Sequence, residues 1–493
     1  MKRILFFCAL LAGTAIAYEA FQGPTEVLYW DSSKSCNGYT FFGVGGHTYL
    51  VDMQGYVVHT WSVGNNPHLL NDGSVLDSTQ NQGNSDFTGF VKVSWAGSNV
   101  WSYLDTRTNY FLHHDFTQIY NPKLGTNTVL YIARKNVTAA QCVAAGCDTA
   151  NTNYYNNAQV DAIVEVDMSG NIVWEWCFFD HLIQDFDSSK SNWVGSGMTI
   201  SNYPGRLNAN IPGLPVQSDW LHCNGLDYNQ TLDQIAISSV RGEFYVIDHG
   251  GTFIVGDPAG SIAKAATSAG NFLYRFGDPA RYNQGAIPAI LTNWTESTTG
   301  NKQTGGNHHV SWIPSGFPRA GNMMIFNNAQ NLFEHTQQSY AMEINPYYNG
   351  SANTGAYVNP PDAGYYSWSP GNNTDKSPRL LSNQLVWFWY SKASHGMFNH
   401  IGGSVQRLAN GNALICSDQE GHIIEVTDSG DVVWEYINPV TTSGILKFKR
   451  DNWPMFNGLF RAYRYTSSDP PLAGRTLTPG NTITGRTPSY GTP

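Results

Sequence analysis

Three stretches decide the fold: VDMQGYVVHTW from Val51 to Trp61, VDMSGNIVWEW from Val166 to Trp176, and VTDSGDVVWEY from Val426 to Tyr436. They align without gaps. Each reads as a strand, a polar turn with a glycine where positive φ is needed, and a second strand closed by an aromatic residue. Weaker copies run from Tyr245 to Phe276 and from Met342 to Trp389, with long intervening loops.

A second element precedes most of these hairpins: a histidine, a variable stretch, a turn and a short apolar strand. The instances start at His68 (turn Asn71 to Gly73), His113 and His114 (Asn121 to Gly125), His222 (Tyr228 to Gln230), His308 and His309 (Ala320 to Asn322), and His400 (Ala409 to Asn412). Strand, strand and hairpin, repeated at irregular spacing, predict blades of four-stranded sheet. The expected fold is all-β: a six-bladed β-propeller with long inter-strand insertions. Helical periodicity is weak outside a turn at Ala139 to Ala145.

Composition agrees. Of 493 residues, 41% are apolar, 13% aromatic and 13% charged, against about 25% charged in an average domain. This excludes a disordered chain and a coiled coil. A net charge of −10 disfavours a nucleic-acid partner. At the amino end, Lys2 and Arg3 precede an apolar run from Ile4 to Ala12, and Ala15-Ile16-Ala17 has the form of a signal-peptidase site. The expected organisation is a signal peptide at 1–17, the propeller at 18–465 and a Thr/Pro/Gly-rich tail at 466–493, extended or disordered. The product is secreted or periplasmic, with no membrane span. Six cysteines follow the leader; Cys142 and Cys147 are the favoured disulfide pair, with buried free thiols as the alternative.

In a propeller the first strand of each blade lines the central channel, so a residue just before it sits at the channel mouth. Five repeats place histidine there. Hydrogen-bonded blade caps are the structural alternative.

Several stretches resemble the secreted, propeller-type bacterial arylsulfate sulfotransferase family. They are HHDF at His113; IVWEW at Ile172 followed by DHLIQDFD at Asp180; DWLHCNGLDY at Asp219; YVIDH at Tyr245; NFLYRFG at Asn271; HHVSWIP at His308; and NHIGG at Asn399 with QRLANGN at Gln406. They run in order through most of the chain. The resemblance implies a six-bladed propeller that moves a sulfuryl group from an aryl sulfate donor to a phenolic acceptor. It needs neither the nucleotide sulfate donor nor a cofactor, and a histidine carries the group transiently. His400 matches the nucleophile; His222 and His308 match two further channel histidines, with His309 adjacent to the latter. Asn224, in the His-x-Asn pattern, is expected to hold sulfuryl oxygens, and His114 to contact substrate. The family's arginine is missing from Phe326 to Phe333, leaving Arg241 or Arg134 to supply the charge.

The chemistry is coherent from the residues upward. Sulfuryl transfer resembles phosphoryl transfer, with a loose transition state whose charge spreads over peripheral oxygens. It needs positioned donors and an in-line nucleophile, and neutral imidazole is a recognised covalent catalyst. A second histidine can protonate the leaving phenolate and deprotonate the incoming phenol. No metal is expected, since no His-x-x-x-His or Cys-x-x-Cys pair occurs; a calcium ion at Asp185 or Asp187 stays open. The competing reading is an inactive secreted propeller that binds or assembles, with Asn349 to Lys376 as interaction surface. A homodimer stays open.

Overall fold

The computed structural model describes residues 23–80, 86–150, 158–210, 218–283, 303–328, 339–359, 382–391, 397–441, 444–446, 448–449 and 457–493. The leader, most of the 349–376 insertion and residues 329–333 lie outside them.

The chain is all-β and propeller-like. Successive antiparallel sheets follow one another in sequence, with neighbouring inner strands in contact. Tyr39–Val44, His47–Asp52 and Val57–Trp61 form a sheet whose fourth, inner strand is Ala462–Tyr465, from the far end of the chain. An eight-stranded sheet contains His68–Leu69, Val75–Gln80, Asp86–Val93 and Asn99–Leu104, then Tyr110–Asn121, Thr126–Val137, Ala158–Asp167 and Ile172–Cys177. Its halves meet where Leu112 pairs with Phe87 and His113 with Asp86. Two four-stranded sheets follow, Cys223–Asn229 to Tyr274–Phe276 and Asn307–Trp312 to Leu385–Trp389. The last, from Ser404–Arg407 to Val432–Ile437, gains Glu26–Trp30 as a fifth strand.

The three quoted hairpins share one geometry. Gly55, Gly170 and Gly430 have φ of 89°, 87° and 95°, the region a side chain resists. Asp52 and Asp167 accept backbone N–H groups across their turns, and Thr427 does the same for Asp431, as turn-forming side chains do. Each hairpin shifts register at the same place, at Leu50/Val51, Glu165/Val166 and Glu425/Val426.

These turns are docking points between sheets. Outer-strand tryptophans donate their indole N–H to a later hairpin turn: Trp101 to Met168 O (2.9 Å) between the halves of the eight-stranded sheet, and Trp387 to Asp428 O (3.0 Å) and Trp434 to Met53 O (2.9 Å) between sheets. The last of these joins the end of the ring to its beginning. A second set is polar and buried. Asn121, Asn322 and Asn412, between first and second strands, each donate Nδ2 at 2.7 Å to a third-strand glutamate: Glu165, Glu343 and Glu425. Each glutamate also takes a cation from the following sheet: His249 at 2.9 Å, Arg407, and Arg464 at 3.1 Å. Buried carboxylates need such partners, and these three find them where sheets meet.

Two expectations change. Helix is present beyond Ala139–Ala144: Pro258–Ala265 is a second helix, with Pro258 at its start and Asp257 capping Gly260 N at 2.8 Å. The Cys142–Cys147 disulfide is not formed, and all six described cysteines are free and buried. The two thiols hydrogen-bond to each other instead. Cys177 and Cys223 pack as small apolar groups in the core shared by neighbouring sheets. The tail is extended and held in place: Trp30 N donates to Gly491 O, Thr484 binds Glu26, and Arg475 lies 4.2 Å from the Trp95 ring centroid.

Candidate functional site

The inner strands carry their histidines at irregularities. Register shifts fall between Leu112 and Phe116, between Cys223 and Gly225, and between Asn307 and His309. Bulges re-aim side chains and collect beside functional sites. His114 and His222 also hold positive φ, 56° and 50°, a conformation costly for residues other than glycine.

The structure brings His113, His114 and His222 together. The His114 and His222 ring centroids are 4.7 Å apart, and those of His113 and His222 are 6.0 Å apart. His113 Nε2 lies 3.0 Å from Asp161 Oδ1, and its Nδ1 is 2.8 Å from His114 Nδ1. Of the two facing Nδ1 atoms one donates to the other, which leaves Nε2 as the free nitrogen of His114. His222 Nδ1 lies 2.6 Å from Asp219 Oδ2, which again leaves Nε2 as the reactive nitrogen. Burial opposes the Asp219 charge, but the His222 hydrogen bond and nearby cations bring its carboxyl to about 2. Arg134 bridges Asp219, at 3.3 Å, and Asp86.

His308 follows the same logic. Asn328 donates Nδ2 to the carbonyls of Asn399 (3.0 Å) and Gly402 (2.9 Å), so its Oδ1 faces His308 Nδ1 at 2.7 Å. The His308 proton is therefore on Nδ1 and its Nε2 carries the lone pair. Burial pulls the His308 pKa down to about 3, aided by the charges of His222, Arg461 and His400. Burial and neighbouring histidines also hold His114 well below the usual imidazole range. His308 and His114 are thus neutral nucleophile-type or acceptor imidazoles at neutral pH.

His400 is at the rim. Its side chain is exposed, 6.2 Å from the Phe398 ring, and its backbone N–H donates to Gln419 Oε1 at 2.6 Å. Asn399, next to it, is buried and pinned to Ser417 and Gln419. Asn328 therefore links His308 to the loop bearing His400. Asn224 is buried; its Oδ1 accepts from Ser238 at 3.0 Å, while Nδ2 has no partner among the described residues. A buried amide donor without a partner is costly and is available to an anionic oxygen.

Other expectations are redistributed. His309 points away from His308, into a cavity beyond the histidine cluster, and shares that cavity with His68. Arg241 is turned to the carbonyls of Trp220 (3.3 Å) and Asp219 (3.1 Å), and Arg134 to carboxylates. The central cation is Arg461. It immediately precedes the inner strand Ala462–Tyr465, the position that histidines occupy in other sheets. Its Nη1 lies 2.7 Å from Asp115 Oδ2, and Nη2 donates to Asn224 O (2.8 Å) and His308 O (3.4 Å). Sequence reasoning missed it because the sheet it belongs to is completed by a strand about 400 residues from its partners. The signal was there: the strand Ala462–Tyr465 that completes the first sheet is preceded by Arg461. Four carboxylates stand near the histidines: Asp86, Asp115, Asp161 and Asp219. Among the described residues, no three His, Cys, Asp or Glu side chains are grouped to hold a metal ion, and no helix is long and apolar enough to cross a membrane.

The chain is thus an all-β, propeller-like ring in which His113, His114 and His222 stand together. Residues 45–347, more than half of the chain, match the arylsulfotransferase (ASST) family, and the chain belongs to that family. No curated protein sequence matches it. Among solved structures, a Bacteroides caccae protein of unknown function is 10% identical with a TM-score of 0.37, covering 84% of this chain and 98% of that one. A streptogramin B lyase is 8% identical with a TM-score of 0.28, covering 86% and 75%. The β-propeller domain of Cps50 (Swd1) from Myceliophteria thermophila is 9% identical with a TM-score of 0.33, covering 85% and 88%.

Proposed function

We propose that this chain moves a sulfuryl group from an aryl sulfate to a phenol. The observation that carries the reading is shared by His114, His222 and His308: each has Nδ1 tied to a neighbour, which leaves Nε2 as the free nitrogen. The ring is read as six blades, the eight-stranded sheet being two blades joined at Leu112 and His113. Residues 1–17 are read as a cleaved leader for export, with the propeller at 18–465.

In the first half-reaction an imidazole nitrogen of His400 attacks sulfur in line, the sulfur–oxygen bond to the aryl group breaks, and the phenolate leaves. His222, oriented by Asp219 at Nδ1, is the general acid that gives the leaving oxygen a proton from Nε2. In the second half, neutral His222 takes the proton of the incoming phenol, whose oxygen attacks the sulfohistidine. Asn224 Nδ2 donates to a sulfuryl oxygen, and Arg461 fixes the backbone of Asn224 and His308 beneath the site. Asn328 stands in the stretch where the family's arginine is missing. A second reading puts the covalent bond on His308, since Asn328 already fixes its lone pair on Nε2.

The test uses p-nitrophenyl sulfate as donor and phenol as acceptor. Wild type is expected to release p-nitrophenol and to gain the mass of one SO3 group; His400→Ala is expected to lose both. A labelled peptide containing His308 moves the nucleophile there. Absence of both turnover and labelling in wild type leaves the binding or assembly role.

A further inference from the structure

Below the histidine cluster the inner strands surround a cavity of about 440 Å³. Along three of these strands its lining residues follow the site residues: Thr117 to Tyr120 after His114, Leu226 to Tyr228 after Asn224, and Tyr463 and Tyr465 after Arg461. At about 3.3 Å per residue, this places the cavity one to three residue pairs deeper along the channel. The Arg461–Asp115 pair lies between the two sites. The pair carries no net charge.

The lining has an unusual balance. It contains no lysine or arginine but two carboxylates, Asp72 and Asp227. Asp72 is already matched by Lys92 at 2.8 Å. Asp227 forms no ion pair among the described residues; it accepts the backbone N–H of Trp312 at 2.7 Å and that of Tyr228. Burial pushes its carboxyl up to about 7, against its two backbone hydrogen bonds and the more distant Arg461, which is paired with Asp115. His309 also lines the cavity. It is 4% exposed, and its Nδ1 is buried without a partner. Burial beside Arg461 pulls it down to about 3, so it is neutral and its ring offers a lone pair. Tyr228, Tyr463 and Tyr465 complete the walls.

The lining offers an anion no lysine or arginine and sets two carboxylates against it, which disfavours a second aryl sulfate site. An ammonium group brings three donors and no acceptor. It fits a carboxylate without a counter-ion, an imidazole lone pair and aromatic walls. We propose that the cavity binds a primary ammonium compound, with its charge on Asp227, one N–H on His309 and its apolar stem against the tyrosines. The proposal is independent of sulfuryl transfer.

The probes are benzylamine, benzyl alcohol and benzoate, which share a ring and differ in charge. Calorimetric titration of the wild-type protein is expected to show binding of benzylamine at least tenfold tighter than of the other two, and benzylamine alone is expected to raise the melting temperature. Asp227→Asn keeps the acceptor for Trp312 N–H and is expected to weaken benzylamine at least tenfold, with an unchanged far-UV spectrum confirming the fold. Equal binding of benzyl alcohol, tighter binding of benzoate, no binding of benzylamine to wild type, or benzylamine binding indifferent to the Asp227 change would each overturn the proposal. If the variant fails to fold, the wild-type ligand series decides.

Discussion

Arg461 and Asp115 form a buried ion pair, Nη1 to Oδ2 at 2.7 Å, that ties the closing strand of the ring to the strand bearing His113 and His114. Asp115 also accepts Leu226 N at 2.6 Å and lies 3.5 Å from His68. One carboxylate thus connects three inner strands to Arg461. Burial opposes that charge, but Arg461 and these donors hold Asp115 well below the usual carboxylate range.

Removing one partner of such a pair leaves the other charge buried alone. Arg461→Met is therefore expected to lower unfolding free energy by about 3–5 kcal/mol, read from urea denaturation. Adding Asp115→Asn is expected to recover part of the loss, because no unpaired charge remains. An additive double variant would show that the two side chains do not act as a pair. Sulfuryl transfer is expected to fall in both variants, since the carbonyls of Asn224 and His308 lose their common donor.

Asn328 sets the state of His308 without contributing charge. Replacing it with aspartate puts an anion at the same position, 2.7 Å from Nδ1. An adjacent opposite charge favours the protonated imidazole, so Asn328→Asp is expected to raise the His308 pKa from about 3 by about 1–3 pH units. The imidazole resonances, followed by NMR through the acid range, report it. If His308 acts as a neutral base or nucleophile, turnover at acidic pH falls in this variant while turnover at alkaline pH is retained. A pH profile that superposes on wild type would take His308 out of that role.

Much of this architecture was legible. The hairpins at Val51, Val166 and Val426 repeat because each must turn tightly and present its turn to a neighbour, so glycine and a turn-capping side chain recur in the sequence itself. His113, His222 and His308 were visible because each stands near the start of an inner strand, though not at one fixed position. What stayed hidden depends on contacts between distant segments. The asparagine–glutamate locks at Glu165, Glu343 and Glu425 involve common residues whose partners are set by the ring. His308 and His309 are adjacent in sequence, and only the bulge at Asn307 to His309 sends them to different sites. Arg461 belongs to the first sheet although it lies near the end of the chain. The disulfide expectation failed because spacing on a loop says nothing about whether two thiols share a bond.

The Trp434 indole fastens the last sheet to the first through Met53 O at 2.9 Å. Trp434→Phe keeps an aromatic ring but leaves that carbonyl buried without its donor. A loss of about 1–3 kcal/mol is expected, measured by urea unfolding. Trp101→Phe removes the equivalent bond to Met168 O at 2.9 Å, at a junction that chain connectivity already supports. Its loss is expected to be smaller, and a larger one would contradict the view that ring closure depends on the Trp434 contact.

His249 gives a pH signature to another junction. Its Nδ1 lies 2.6 Å from Asp233 and its Nε2 2.9 Å from Glu165, with the ring fully buried. Burial disfavours the cation, yet the hydrogen bonds to two carboxylates push its pKa up to about 9, from an ordinary value of 6.5. Below pH 6.5 the histidine is protonated in both the folded and unfolded chain, and the full stabilisation is present. Between 6.5 and 9 the unfolded chain gives up the proton while the folded chain keeps it, so stability falls as pH rises. Above 9 the contribution is gone. A difference of this size corresponds to about 3 kcal/mol across the window. Urea unfolding at pH 6, 7.5 and 9 is expected to show this decline in wild type and a flatter profile in His249→Gln. If the two proteins lose stability in parallel, the proton is not on His249 and the junction holds as a neutral network.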